Sequence, residues 1–490
     1  MIIVTQSLRR AVRRLLRAPA FTAAAVLTLM LGIGATTAVF SIVNGVLLRP
    51  LPYEGPAQLV DLSHSLQISG ISQVDQSDAT YLYYRRANRV FTDVGAYRAT
   101  SVNLGPAIGS GAGDAGHAER VTAARISAGT FGVLRVAPLR GRTFTESEDR
   151  PGASPVVVIT QRLWERKYGA DPEIIGQQLE IDGTPHEVVG IMRGGFHFPS
   201  VGTELWVPIG IDPANTKTAA FDYRAVARLR DGASPRMAAA DLQRLLPRVP
   251  EAFPGRLTAE GIELTRMRAV VRPLRDVVVG DVSRVLWVVL AAVAFVLLIA
   301  CANVANLFLV RAEGRQHELA VRRALGAGRR AIATEFLSEA LLLAALGGAL
   351  GLAFAAAGVR VLRSLEAGID VPRLAEVSID GTVLAVAFGV TLLAALLVTG
   401  LPALRAAALT VSAVLGQTSR TATAGRRRNR ARHALVVAQV ALALVLLAGA
   451  GLMARSFARL RAVQPGFNPS QTLSFYLAVP EATYPEPSDA

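Results

Sequence analysis

The chain is short of three things. It has one cysteine, Cys301, in 490 residues, so no internal disulfide is open to it and cysteine usage says nothing about redox compartment. It has two lysines, Lys167 and Lys217, against 50 arginines, a skew of the kind a GC-rich genome imposes. A phosphate-binding P-loop needs Gly-Lys-Ser/Thr, and here Arg166 precedes Lys167 and Thr216 precedes Lys217, so no such nucleotide site lies within this sequence. Charge is also scarce, at 18% of residues where a soluble chain carries roughly 25%. With 51% hydrophobic residues and a mean hydropathy of +0.38, disordered, collagen-like and disulfide-scaffold classes are excluded. An integral membrane protein with a substantial water-soluble part remains.

Five stretches are long enough to cross a bilayer, which takes about 20 apolar residues in a helix. Charge is absent from Ala18 to Leu48, Val285 to Val310, Ala340 to Val359, Gly381 to Leu404 and Ala434 to Ala454. The first run is far longer than a signal-peptide core and reads as a span rather than a cleaved leader. Arginine sets the orientation. Segments 1–17, 311–335 and 405–432 carry net charges of +5, +3 and +7, which together equal the formal charge of the protein. The positive-inside rule places these three segments in the cytoplasm, with the N-terminus inside and the C-terminal segment outside. Charge that alternates with apolar spans reports topology, so nucleic acid is not an expected partner.

The expected order is a cytoplasmic amphipathic helix at 1–19, then spans at 20–48, 285–310, 336–359, 381–404 and 433–454. Between them lie an extracytoplasmic domain at 49–284, a cytoplasmic segment at 311–335, an outside loop at 360–380 and a basic linker at 405–432. In the first helix Leu8, Val12, Leu15 and Leu16 share one face and Arg9, Arg10, Arg13, Arg14 and Arg17 the other, as suits the inner headgroup layer and contact with membrane lipids. Residues 455–490 read as the start of a second, truncated outside domain, with a strand-like Thr472–Leu477.

Segment 49–284 has balanced charge, many Gly, Pro and Asp residues and short alternating runs, which predicts an α+β domain with its own core. Val156–Thr160 reads as a buried strand, Gln161–Tyr168 as a helix ending at Gly169, and Gln178–Asp182 with His186–Met192 as a hairpin turned by Asp182-Gly183. Pro208 follows an apolar strand around Trp206. Gly111, Gly113 and Gly116 match a dinucleotide fingerprint, but in a Ser/Gly/Ala-rich stretch with no strand before it or helix after it they read as a surface loop. His317-Glu318 opens a zinc-protease pattern that Val321 breaks. No catalytic residue, cofactor-binding residue or metal ligand is predicted.

Within the spans, Asn303 and Asn306 sit one helical turn apart and are placed to hydrogen-bond across helices, and Gly347 and Gly351 form a GxxxG pair for close helix approach. Glu339, about one turn inside the third span, is expected to snorkel to the inner surface. The segment from Glu313 to Arg330 is charged and helix-favouring, with Leu319, Ala320, Ala324 and Leu325 able to form one apolar face, a form suited to docking in a partner's groove.

These residues resemble a known family. Ala302-Asn303-Val304-Ala305-Asn306-Leu307, Arg311 and the run Glu318-Leu319-Ala320-Val321-Arg322-Arg323-Ala324-Leu325-Gly326-Ala327 resemble the permease subunits of MacB/FtsX-type ABC transporters. Phe131-Gly132-Val133-Leu134, the run from Pro138 to Phe144, Leu163-Trp164, Ile175-Gly176, Val188 to Met192 and Glu204 to Pro208 look like the MacB-type periplasmic core. The opening, Phe21-Thr22-Ala23 through Ala35 and Asn44 to Tyr53, is similar to duplicated orphan permeases of acidobacteria.

The resemblance implies an α-helical polytopic membrane protein of about five transmembrane helices with a large inserted α+β domain of the MacB-type periplasmic core. It implies a bacterial inner-membrane permease that is not itself an enzyme and has no cofactor of its own, ATP being bound by a separate ABC ATPase subunit. The ATPase-coupling residues would be Glu318, Leu319, Val321, Arg322, Arg323, Leu325 and Gly326. A second permease unit or homodimer and a periplasmic adaptor are the other implied partners. Drugs, peptides, lipids or lipoproteins are the implied substrates for efflux or extraction. The alternatives are an FtsX-like transmembrane regulator or signal transmitter with no transported substrate, and a gene fragment without function. A sensor-type receptor lacks an output domain here, since 405–432 is too short to be one. FtsX-type regulators of cell-wall hydrolases have a much smaller outside domain.

Overall fold

The computed structural model describes residues 11–106, 118–280, 282–314, 321, 328–364, 373–408, 423–463 and 472–473. The chain divides into two compact units. One joins the chain up to Arg49 with Asp281–Leu473, and the other is built on Pro50–Gly280.

The first unit is helical. Five helices are long and apolar enough to cross a membrane, at Pro19–Leu48, Val282–Ala312, Ala333–Ser364, Gly381–Gly400 and His433–Arg461. Their apolar residues run all round each helix, as a lipid-facing surface requires. The first span is the most buried and packs against the second, third and fourth, with Leu29, Ile33, Leu297, Val304, Phe308, Leu343 and Val398 in their common core. Its hydroxyls satisfy themselves: Thr36, Thr37 and Ser41 donate to the carbonyls of Gly32, Ile33 and Thr37 at 2.8 Å, so no buried donor is left open. The fifth span differs. Its outward residues Val437, Leu444, Leu447 and Leu452 are exposed, and Leu435, Gln439, Leu442 and Leu446 form the half-covered stripe. Its helix spans Thr423–Arg461, extending past the expected limits at both ends.

The short helix before the first span covers 11–16 and breaks at Ala18. Its apolar residues do not all face lipid. Ala11 and Leu15 are buried against the bundle, while Val12 and Leu16 are exposed. Leu8 lies outside the described residues.

The inserted unit is a mixed sheet flanked by helices. Its strands are β1 (Leu59–Leu66), β2 (Ile71–Val74), β3 (Phe91–Leu104), β4 (Glu119–Ile126), β5 (Pro138–Gly141), β6 (Val156–Thr160), β7 (Gln178–Ile181), β8 (Thr184–Met192), β9 (Leu205–Pro208), β10 (Arg224–Leu229) and β11 (Met267–Pro273). The main path runs β11-β1-β10-β3-β4-β9-β6-β8-β5, with β2 on β1 and β7 joining β3 and β8. β4–β9 and β6–β8 are parallel pairs and the other pairs are antiparallel.

The local chemistry accounts for these elements. β6 is a run of β-branched residues buried along its whole length between β9 and β8. The helix Gln161–Tyr168 starts where Thr160 Oγ1 accepts the Leu163 N–H at 3.1 Å, and it stops at Gly169 in the left-handed region. The β7–β8 hairpin turns on Asp182 (φ 49°) and Gly183 (φ 81°), the two positive angles a type I′ turn requires. Residues 107–117, which include Gly111, Gly113 and Gly116, lie outside the described residues. They join β3 to β4, whose ends Leu104 and Glu119 pair antiparallel. A Rossmann fingerprint would instead lead from a strand into a helix. Trp206, fully buried, donates its indole N–H to the Phe198 carbonyl at 2.7 Å and packs against Phe131 and Phe196.

Candidate coupling site and helix packing

At the basic end of the bundle the short N-terminal helix is tied to the third span. Arg14 forms ion pairs with Glu335 and with Glu339, the latter at 3.2 Å. Glu339 is only 2% exposed, so it does not snorkel to the surface as the sequence suggested. The reason is energetic: a carboxylate inside the helix bundle is costly alone, and a guanidinium delivered by another segment neutralises it in place. Arg311, at the end of the second span, donates to the Arg14 carbonyl at 3.0 Å and lies 4.7 Å from the centre of the Phe21 ring. Thr22 Oγ1 donates to the carbonyls of Leu15 and Ala18 at 2.8 and 3.0 Å, which holds the turn between the short helix and the first span. Pro19 stands in the first turn of that span, where its missing N–H costs nothing.

Arg14 therefore joins the ends of the second and third spans, and the segment expected to couple to an ATPase runs between those same ends. Of its named residues, Val321 is helical and exposed. Glu318, Leu319, Arg322, Arg323, Leu325 and Gly326 lie outside the described residues.

The packing glycines lie where helices touch. A Cβ on Gly347 would stand 2.7 Å from Leu29 Cβ, and one on Gly351 would stand 3.0 Å from the backbone nitrogen of Gly34. One on Gly34 would in turn stand 2.9 Å from the Gly351 carbonyl oxygen. The third span meets the first by backbone contact at this point. Gly348 lies close against the Thr391 side chain of the fourth span, and Gly32 against Leu297 and Ala300 of the second.

The asparagines behave otherwise. The buried stripe of the second span runs through Leu297, Cys301, Val304 and Phe308, which turns Asn303 out of the bundle. Asn306 is half-buried and its Oδ1 has no hydrogen-bond partner among the described residues, so it does not accept the expected cross-helix hydrogen bond there.

Sequence reasoning placed Arg14 on the basic face of a helix in the inner headgroup layer and did not single out Gly34. No local signal marks either role. Arg14 is one of five arginines in its segment, and the carboxylates it pairs with, Glu335 and Glu339, lie more than 320 residues away.

In the inserted unit the titratable groups are structural in setting. His64 is wholly buried, with Nδ1 3.2 Å from the Asp75 carbonyl and Nε2 3.0 Å from the Tyr84 hydroxyl. A carbonyl only accepts, so Nδ1 carries the proton and Nε2 accepts from Tyr84. Burial pushes the His64 pKa down to about 4. Asp61 lies buried beneath Arg224 and Arg272, at 3.4 and 3.8 Å, and its burial raises its pKa despite those two charges. Among the described residues no three His, Cys, Asp or Glu side chains gather where they could hold a metal ion.

Comparison with known families matches two regions. Residues 22–245 match the MacB-like periplasmic core domain, and residues 290–411 match the FtsX-like permease C-terminal region. The pyoverdine export ATP-binding/permease protein PvdT of Pseudomonas putida is 29% identical over 222 residues, 44% of this chain and 32% of that protein. The macrolide export ATP-binding/permease protein MacB of Azoarcus is 28% identical over 299 residues, 60% of this chain and 42% of that protein. The ABC transporter permease YknZ of Bacillus subtilis is 23% identical over 252 residues, 50% of this chain and 60% of that protein. The chain thus spans about a third to three fifths of the length of these relatives. With the core domain inserted ahead of the permease helices, and both matched in sequence, this multi-pass membrane protein belongs to the MacB/FtsX-type ABC transporter permeases.

Proposed function

We propose that the chain is the permease subunit through which a separate ABC ATPase, binding and hydrolysing ATP, moves the inserted domain on the far side of a bacterial inner membrane. The observation that carries this reading is the arrangement at the basic end. Arg14 clamps the ends of the second and third spans, and the segment between them contains Glu318, Arg322 and Arg323 on a helix-favouring run. A push on that segment acts directly on two clamped helices, and the glycine contacts pass it to the first span as a rigid body. Neither lysine stands in a Gly-Lys-Ser/Thr run, which supports a reading in which ATP is bound by a partner chain.

In this reading the N-terminus is cytoplasmic, because the arginine-rich ends share one side of the membrane. Two relatives are named for export of pyoverdine and of macrolides. Efflux or extraction of a drug, peptide, lipid or lipoprotein is the corresponding task here, with a second permease unit or a second copy completing the transporter and a periplasmic adaptor as a further partner.

The test is co-purification in mild detergent from the native membrane, beside a Glu318→Ala/Arg322→Ala variant. An ATPase subunit recovered with the wild type and lost with the variant supports the reading. If neither form brings down an ATPase while both stay folded, the reading fails.

A further inference from the structure

The far end of the first span is gripped by the chain between the third and fourth spans. The helix widens into a π turn over Asn44–Leu48, closed by the Arg49 N–H donating to the Asn44 carbonyl at 2.8 Å. Such wide turns persist where neighbours hold them. Here the neighbour is Arg373, only 5% exposed. Its guanidinium pairs bidentately with Glu376, Nε to Oε1 at 3.0 Å and Nη2 to Oε2 at 2.6 Å. Its Nη1 donates to the carbonyls of Val46 and Arg49 at 3.3 and 2.8 Å, which occupies two acceptors that a helix end otherwise leaves to water.

Further contacts join the same two segments. Arg49 donates to the Glu376 carbonyl at 3.1 Å. Asn44 donates to one oxygen of Asp380 at 3.0 Å, and the other oxygen of Asp380 accepts the Val383 N–H at 2.9 Å and so caps the fourth span. A Cβ on Gly45 would stand 3.0 Å from Val377 Cα, so the two backbones meet directly.

Arg49 is followed at once by Pro50, the first residue of the inserted unit. Leu51, two residues past the gripped helix end, is buried in that unit's own core. We infer that residues 373–380 form a latch that passes movement of the third and fourth spans to the end of the first span and so to the inserted domain, with Arg373 as its positioning residue. This rests on the coupled-permease reading above.

The test uses the full chain with its co-purified ATPase in nanodiscs, and reads hydrogen exchange across 50–280 with and without ATP. In the wild type, ATP changes that exchange. In Arg373→Met, ATPase recovery and hydrolysis persist and the ATP-dependent change is lost, whereas Arg373→Lys keeps part of it. To separate lost transmission from misfolding, Asn44→Cys/Asp380→Cys in an Arg373→Met/Cys301→Ala background is bridged with a short bis-thiol reagent. Bridging is expected to restore the response. An unchanged response in Arg373→Met, or no rescue by a bridge shown to have formed, overturns the latch and leaves the permease reading standing. A wild type that hydrolyses ATP with no change across 50–280 overturns both.

Discussion

Arg14 and Glu339, 325 residues apart in the chain, are 3.2 Å apart in space, and this pair ties the N-terminal helix to the third span. Glu335 shares the same guanidinium, and Arg311 holds the backbone of Arg14 itself. A short surface helix is in this way made part of the bundle.

Removing one member of that pair should cost more than removing both. Arg14→Ala takes a cation away from the buried Glu339 carboxylate, at a cost of about 3 kcal/mol. Arg14→Ala/Glu339→Gln removes the buried negative charge as well and should recover much of the loss. Thermal unfolding in one detergent orders the three proteins, and equal losses in the single and double variants would refute a paired role for Glu339.

The third span should tolerate no side chain at its contacts with the first. Gly347→Leu and Gly351→Val would drive atoms into Leu29 and into the Gly34 backbone, for which overpacking costs of about 1–3 kcal/mol are usual. Gly358, on the same helix, faces open space, and Gly358→Ala should be neutral or slightly stabilising. A lower midpoint of unfolding for Gly358→Ala than for Gly351→Val would contradict this packing.

Acid should destabilise the inserted unit through His64. Burial holds its pKa at about 4 in the fold, against about 6.5 when unfolded, so between those values the unfolded chain binds the extra proton. Its contribution is complete above pH 6.5 and is lost as pH falls toward 4, by roughly 3 kcal/mol in all. Asp61, raised by burial, acts with the opposite sign over part of this range. The informative quantity is therefore wild type minus His64→Gln, followed by unfolding of the full chain from pH 7 to 4. A difference that does not shrink on acidification would rule out a neutral buried imidazole.

The β7–β8 hairpin should depend on its second turn residue. Gly183 has φ 81°, which a β-branched side chain adopts only with strain. Gly183→Val should cost on the order of 1–2 kcal/mol, while Asp182→Asn should be close to neutral because asparagine also suits that region. Proteolysis within 178–192 provides the measurement, with faster cleavage expected for the valine variant alone.

Much of the architecture is local and was legible from the residues. A bilayer span needs only length and absence of charge, a β-branched run flanked by proline makes a buried strand, and Asp-Gly between two alternating segments makes a tight hairpin. The five helices, β6, the helix after it and the β7–β8 turn follow from such rules, as does the separate α+β unit between the first and second spans. Gly347 and Gly351 could be assigned to a helix contact, though not to Gly34 and Leu29 as its other side. Which face of a uniformly apolar helix turns inward is undetermined by hydropathy, and so the place of Asn303 was not legible: the stripe through Val304 and Phe308 is buried and Asn303 is left outside. Long-range contacts of the arginines were equally hidden, because Arg14, Arg49 and Arg373 look like any other basic flank until folding brings Glu335 and Glu339 beside Arg14, the Glu376 carbonyl beside Arg49 and the Val46 carbonyl beside Arg373. Sequence determined which segments are helices, strands and spans, since those depend on neighbours a few residues away. Tertiary structure alone decided that Arg14 is paired with Glu335 and Glu339 and which helix ends are gripped, since those depend on partners hundreds of residues distant.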